Sequence, residues 1–99
     1  MFYGENVKKG DCYEVHGRAI AFGKIDGLLC HGEVYHKAVG WHGHCWIEQG
    51  DTVIDVANGS DVSMPKELYY AIGNIKNVIR YTSTQTRKKI VETKHWGAW

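Results

Sequence analysis

The sequence lacks any apolar run long enough to span a bilayer. It also lacks an excess of charge. Lys and Arg total 12 against 11 Asp and Glu, a net charge of +1, which gives no electrostatic case for nucleic acid or an anionic membrane as partner. The one basic run, Arg87-Lys88-Lys89, reads as the solvated side of a helix. Around Met1-Phe2-Tyr3-Gly4-Glu5 no basic region leads into an apolar stretch, so no export signal is expected. Cysteine is scarce and odd in number, 3 in 99 residues, which does not suit a disulfide framework. Reduced thiols in a cytoplasm are therefore expected, and one of them is free to be chemically active. There is no internal repeat and no low-complexity linker.

What is present is ordinary globular composition, 43% hydrophobic and 23% charged, in a length that makes one domain over residues 1–99. Four Trp and six Tyr help so short a chain bury enough surface. Residues 1–10 read as an irregular lead-in. Asp11-Cys12-Tyr13-Glu14 has the form of a capping box, and Val15, Ala19 and Phe22 follow at helical spacing, so a helix is expected over 11–22 with Gly23 as its stop. Gly17 inside it costs about 1 kcal/mol relative to Ala, which a close helix–sheet contact would explain. Leu28 to His36 reads as a strand, and residues 37–43 as a connection. Two short strands near 44–48 and 52–57 form a hairpin. Asn58-Gly59-Ser60-Asp61 is turn chemistry. Pro65, the only proline, opens a short helix over 65–72. Lys76 to Tyr81 is a further strand, and Thr82-Ser83-Thr84-Gln85 a second capping box that starts a helix to residue 93. The aromatic tail His95-Trp96-Gly97-Ala98-Trp99 is expected to fold back. The order of elements predicts an α+β domain, with the first helix against the hairpin face that carries His44 and Asp55.

The hairpin carries the chemistry. With Gln49-Gly50 as a two-residue loop, Glu48 sits opposite Asp51, and the register sets His44 directly opposite Asp55. Such a pair lies in hydrogen-bonding reach, fixes the imidazole and supports a general base. His44, Trp46, Val53 and Asp55 share one face; Cys45, Ile47, Ile54 and Val56 share the other. A nucleophile is supplied by Cys12 in the first turn of the first helix, where free amides and the positive end of the helix dipole favour an ionised sulfur. Cys, His and Asp together perform acyl transfer. An oxyanion donor is also needed, and the Cys12 amide, Asn6 and Tyr3 are candidates.

On these residues the chain resembles a known family. Asp11-Cys12-Tyr13-Glu14, then His44-Cys45-Trp46-Ile47-Glu48, then Val53-Ile54-Asp55 look like the small bacterial and phage proteins of the transglutaminase-like, papain-fold class. The resemblance spans residues 10–58. It implies a papain/transglutaminase-like core: an N-terminal helix carrying the nucleophile on a small antiparallel sheet, and a C-terminal helix. It implies Cys12 as nucleophile, His44 as base and Asp55 as orienting acid, acting on a protein or peptide substrate without a cofactor. Cys45 stands where that pattern has Ala, and Val56 where it has Pro.

Two other readings stay open. Cys30, His31, His36, His42, His44 and Cys45 form a dense set of nitrogen and sulfur ligands, which suggests zinc, but without a Cys-x-x-Cys or paired-histidine spacing. His42 and His44 share a face with Asp55 nearby, the one three-ligand option. A small domain of this kind would also serve as a binding module that blocks a host protein, with Trp41, Trp96 and Trp99 as its surface. His16, one turn after Cys12, offers a second base. Cys30 and Cys45 read as core.

Overall fold

The computed structural model describes residues 11–57 and 60–99. The elements in chain order are α1 (Cys12–Ala21), β1 (Leu28–His36), β2 (Gly40–Gln49), β3 (Thr52–Asp55), β4 (Val62–Pro65), α2 (Lys66–Gly73), β5 (Lys76–Tyr81) and α3 (Ser83–Thr93). The strands form one antiparallel sheet in the order β4-β3-β2-β1-β5. The fold is α+β, as the order of elements predicts. No described helix is long and apolar enough to cross a membrane.

Both sheet faces are covered, which is why both faces of the hairpin are apolar. Cys45 and Ile47 of β2 and Leu29 of β1 pack under Ala19 and Ile20 of α1. Trp46 of β2, Val53 of β3 and Cys30 and Val34 of β1 pack under Tyr69 of α2. α3 lies beside α1, where Arg87 Nη1 donates to the Ala21 carbonyl at 3.4 Å. The helix α1 therefore covers the Cys45/Ile47 face, not the face expected from the sequence.

Three local expectations also change. The hairpin loop is Gly50-Asp51, with Gln49 paired to Thr52 and Glu48 to Val53. Gly50 supplies the positive φ of 56° such a loop needs. Registration is thus two residues away from the expected one, so Asp55 lies diagonal to His44 instead of opposite it. A two-residue shift keeps every side chain on its own face, so the pair survives. Asp11 sits in the helical region (φ −80°, ψ −9°) and makes no cap hydrogen bond; Glu14 instead pairs with Arg18 at 2.9 Å. An N-cap side chain reaches the first amides from extended backbone, which Asp11 does not adopt. An unexpected strand, β4, lies between the expected turn and the helix, which begins at Lys66 with Pro65 as its N-cap. The last residue of β4, Pro65, pairs with Thr52 at the sheet edge, the one sheet position where a missing N–H costs nothing.

The second capping box forms in full: Thr82 accepts from the Gln85 amide and Gln85 from the Thr82 amide. The aromatic tail folds back, with Trp99 against His31 and Tyr81. Trp96 explains Gly17. A Cβ there would lie 3.1 Å from Trp96 Cε3, so the close contact is to the tail instead of the sheet.

Candidate active site

Asp55 is the last residue of β3, and the β2–β3 pairing runs only as far as Ile47 and Ile54, so His44 lies beyond the paired length of β2 on that side. The first turn and a half of α1 reaches the His44–Asp55 pair there, although the body of the helix covers the other face. His44 Nε2 lies 2.9 Å from Asp55 Oδ2. Cys12 lies near enough to His44 to raise its imidazolium. The three residues expected from the sequence are brought together. All are deeply buried, at 3% exposure for Cys12 and 1% for His44 and Asp55.

Asp55 collects more donors than His44 alone. Tyr69 OH donates to Oδ2 at 2.6 Å, and the Ala57 amide donates to Oδ1 at 3.1 Å. Burial raises the Asp55 carboxyl, but the bonds from His44 and Tyr69 and the nearby imidazoles pull it below its ordinary value. Burial likewise lowers the His44 imidazolium, and here the bonds to Asp55 and Cys12 more than reverse it, holding the group at about 9. At neutral pH His44 is then an imidazolium facing a carboxylate. Both ring nitrogens carry hydrogen, and Nε2 donates to Asp55.

His16 is no second base toward Cys12. Its Nε2 accepts from the Val56 amide at 3.0 Å, which requires a neutral ring protonated on Nδ1. Burial, the largest influence, lowers its imidazolium further. Its task is to hold the chain leaving β3, with Asp55 Oδ1 3.7 Å away.

Tyr69 escaped the sequence reading. The only signal was an aromatic pair in a short amphipathic helix after Pro65, and nothing local says that one hydroxyl meets Asp55. A second network was missed for the same reason. Glu48, 3% exposed, accepts from Trp46 Nε1 at 3.2 Å, Tyr70 OH at 2.5 Å and Arg80 Nε at 2.8 Å. It fixes the Trp46 indole, which stacks on the His44 ring at 6.1 Å.

Of the other candidates, Tyr3 and Asn6 lie outside the described residues, as do the lead-in and Asn58-Gly59. The zinc set is dispersed. Cys30 and Cys45 belong to the two opposite core layers, and among the described residues no three His, Cys, Asp or Glu are grouped to hold a metal ion. Burial pushes both the Cys30 and the Cys45 thiol up, as befits core sulfurs. Trp41 is exposed, at the turn end of the β1–β2 hairpin beside Tyr35.

No protein-family model, curated protein or solved structure matches this chain.

Proposed function

We propose that the protein is a cysteine-dependent acyl-transfer enzyme acting on an amide or thioester of a peptide or protein, within a papain- or transglutaminase-like core. The observation that carries this is the buried cluster of Cys12, His44 and Asp55, in which His44 Nε2 bonds Asp55 Oδ2 at 2.9 Å and Cys12 lies near enough to raise the imidazolium. In the reaction the Cys12 sulfur attacks the carbonyl carbon and an S–C bond forms. The oxygen gains the electron pair and is held by the Cys12 amide, which, as one of the first amides of α1, has no partner within the helix. The Nδ1 proton of His44 passes to the leaving nitrogen or sulfur as its bond to carbon breaks. Neutral His44 then takes a proton from an incoming water or amine, which attacks the thioester and releases Cys12. Asp55 keeps the ring oriented and favours its cationic form in both halves, with Tyr69 and the Ala57 amide holding the carboxylate. Hydrolysis, deamidation and transfer to an amine differ only in the leaving and incoming groups.

The test uses 4-nitrophenyl acetate as a generic acyl donor. Acetylation of Cys12, read by peptide mass spectrometry together with release of 4-nitrophenolate, is expected to outrun that of Cys30 and Cys45 and to fall at least tenfold in Asp55→Asn. Acetylation spread evenly over the three cysteines, or undiminished in Asp55→Asn, would refute the reading.

One observation favours a second reading as a binding module: Tyr35 and Trp41 lie 5.5 Å apart, tilted to one another, while both stay more than 40% exposed. Full biological effect retained by Cys12→Ala would select it.

A further inference from the structure

A cavity of about 360 Å³ opens on the α1 side of the sheet, just beyond the start of that helix. Its walls include Tyr13, which follows the nucleophile, and Gly43, which precedes the base. Trp99 and His31 add two more rings, with Glu33 and Asn77 at the rim. Ring centroids of Tyr13 and Trp99 lie 4.8 and 4.9 Å from that of His31.

Two polar groups here are unspent. His31 is 6% exposed, yet neither of its ring nitrogens has a hydrogen-bond partner. Buried nitrogens without partners are rare in a folded protein and call for a reason. Glu33 takes one bond, from Asn77 Nδ2 to Oε2, and among the described residues has no ion pair. Its cross-strand neighbour Lys76 would be the natural partner, but lays its ammonium 4.1 Å over the Trp41 ring instead. The cavity thus joins an uncompensated carboxylate to aromatic faces and to an imidazole that lacks a donor. Burial lowers the His31 imidazolium to about 4, so at neutral pH the ring adds no positive charge and offers one acceptor nitrogen.

We propose that this cavity is a subsite for a cationic side chain, lysine or arginine, flanking the carbonyl that Cys12 attacks. The proposal rests on the acyl-transfer reading for its role but not for its chemistry. An ammonium or guanidinium seated there lies against the rings of Tyr13 and Trp99 and places its charge by Glu33. A neutral side chain of the same length gains only the rings.

The first experiment compares the rates at which 2-aminoethyl and methyl methanethiosulfonate modify Cys12. The cationic reagent is expected to react about tenfold faster, and Glu33→Gln to remove that preference. Equal rates in the unaltered protein, or a preference that survives Glu33→Gln, overturn the proposal. The second experiment titrates Cys12→Ala, which has no sulfur to acylate, with Nα-acetyl-lysine amide and with its neutral norleucine counterpart, reading the His31 ring by NMR. Glu33-dependent binding of the lysine compound alone upholds the subsite, and does so even if 4-nitrophenyl acetate fails to acylate Cys12, an outcome that sinks only the enzymatic reading. Equal binding of the two compounds, or binding of neither, sinks the subsite while leaving the enzymatic reading to its own test.

Discussion

Asp55→Asn should strip His44 of its charge at neutral pH, and the size of the effect follows from the site. Burial, the strongest influence on His44, favours the neutral ring; the bonds to Asp55 and Cys12 outweigh it and carry the group from the ordinary 6.5 to about 9. That distance corresponds to about 3 kcal/mol of preference for the imidazolium in the folded protein. Because the folded value lies above the unfolded one, this stabilisation is whole below pH 6.5 and drains away as pH rises to about 9. The other buried histidines and cysteines whose values are shifted act outside the window between pH 6.5 and 8.5. His16 and His31 are lowered and act below it, and the Cys30 and Cys45 thiols are raised and act above it. Urea unfolding should therefore lose on the order of 1 kcal/mol per pH unit across that window. In Asp55→Asn burial acts against one remaining bond, so His44 should titrate well below its place in the unaltered protein and the slope should flatten. The direct assay is the pH titration of the His44 ring C–H by NMR. If His44 titrates at or below 6.5 in the unaltered protein, or if the slope is the same in Asp55→Asn, the charged His44–Asp55 pair is wrong.

Iodoacetamide near neutral pH should label Cys12 ahead of Cys30 and Cys45, which are 0% exposed and have raised thiols; peptide mass spectrometry would expose the opposite order at once. Tyr69→Phe removes a 2.6 Å bond to a buried carboxylate and should cost about 2 kcal/mol in urea unfolding. It should also raise the Asp55 carboxyl, whose stabilisation is present above its unfolded value and lost as pH falls, so acid unfolding should begin at a higher pH; an unmoved acid midpoint contradicts this. Gly17→Ala brings a Cβ to 3.1 Å from Trp96, so the gain of about 1 kcal/mol expected in an open helix should be forfeited and the Trp96 ring displaced from under Arg18. A full gain with unchanged tryptophan emission would show the tail does not press on α1.

How far the sequence could be read depended on how local the deciding physics was. Strands Leu28–His36 and Lys76–Tyr81 and the Thr82 cap follow from β-rich runs and a reciprocal side-chain cap, and the structure has them at those residues. The His44–Asp55 contact was legible for a sturdier reason than its register, since side-chain parity alone puts both on one face. What could not be read was non-local. Nothing in Asp11-Cys12-Tyr13-Glu14 says that Glu14 would pair with Arg18 and leave the cap unused. Pro65 opens the helix as read, as the N-cap of α2, but strand β4 before it goes unread because only its pairing with Thr52–Asp55 defines it. Tyr69, Tyr70 and Arg80 converge on two carboxylates from elements that share no sequence pattern with them.

The two buried carboxylates also show what does and does not mark a site. Taking an ion pair out of water is seldom a gain over apolar packing, so its presence in a chain of 99 residues calls for a purpose. Burial alone does not name that purpose, because Glu48 is as buried as Cys12 and is satisfied by three donors. Those donors complete a closed account: Arg80 neutralises the charge, the hydroxyl and indole fill the remaining acceptors, and the result pins Trp46 and the hairpin end. Around Asp55 the account stays open. The carboxylate is satisfied, but the cation satisfying it is a histidine, close to a cysteine at the start of a helix. An arginine in that place would give the same neutralisation with no proton to exchange near neutral pH. The choice of imidazole over guanidinium sets a transferable proton beside a thiol, and that difference separates the Asp55 network from the structural one built on Glu48.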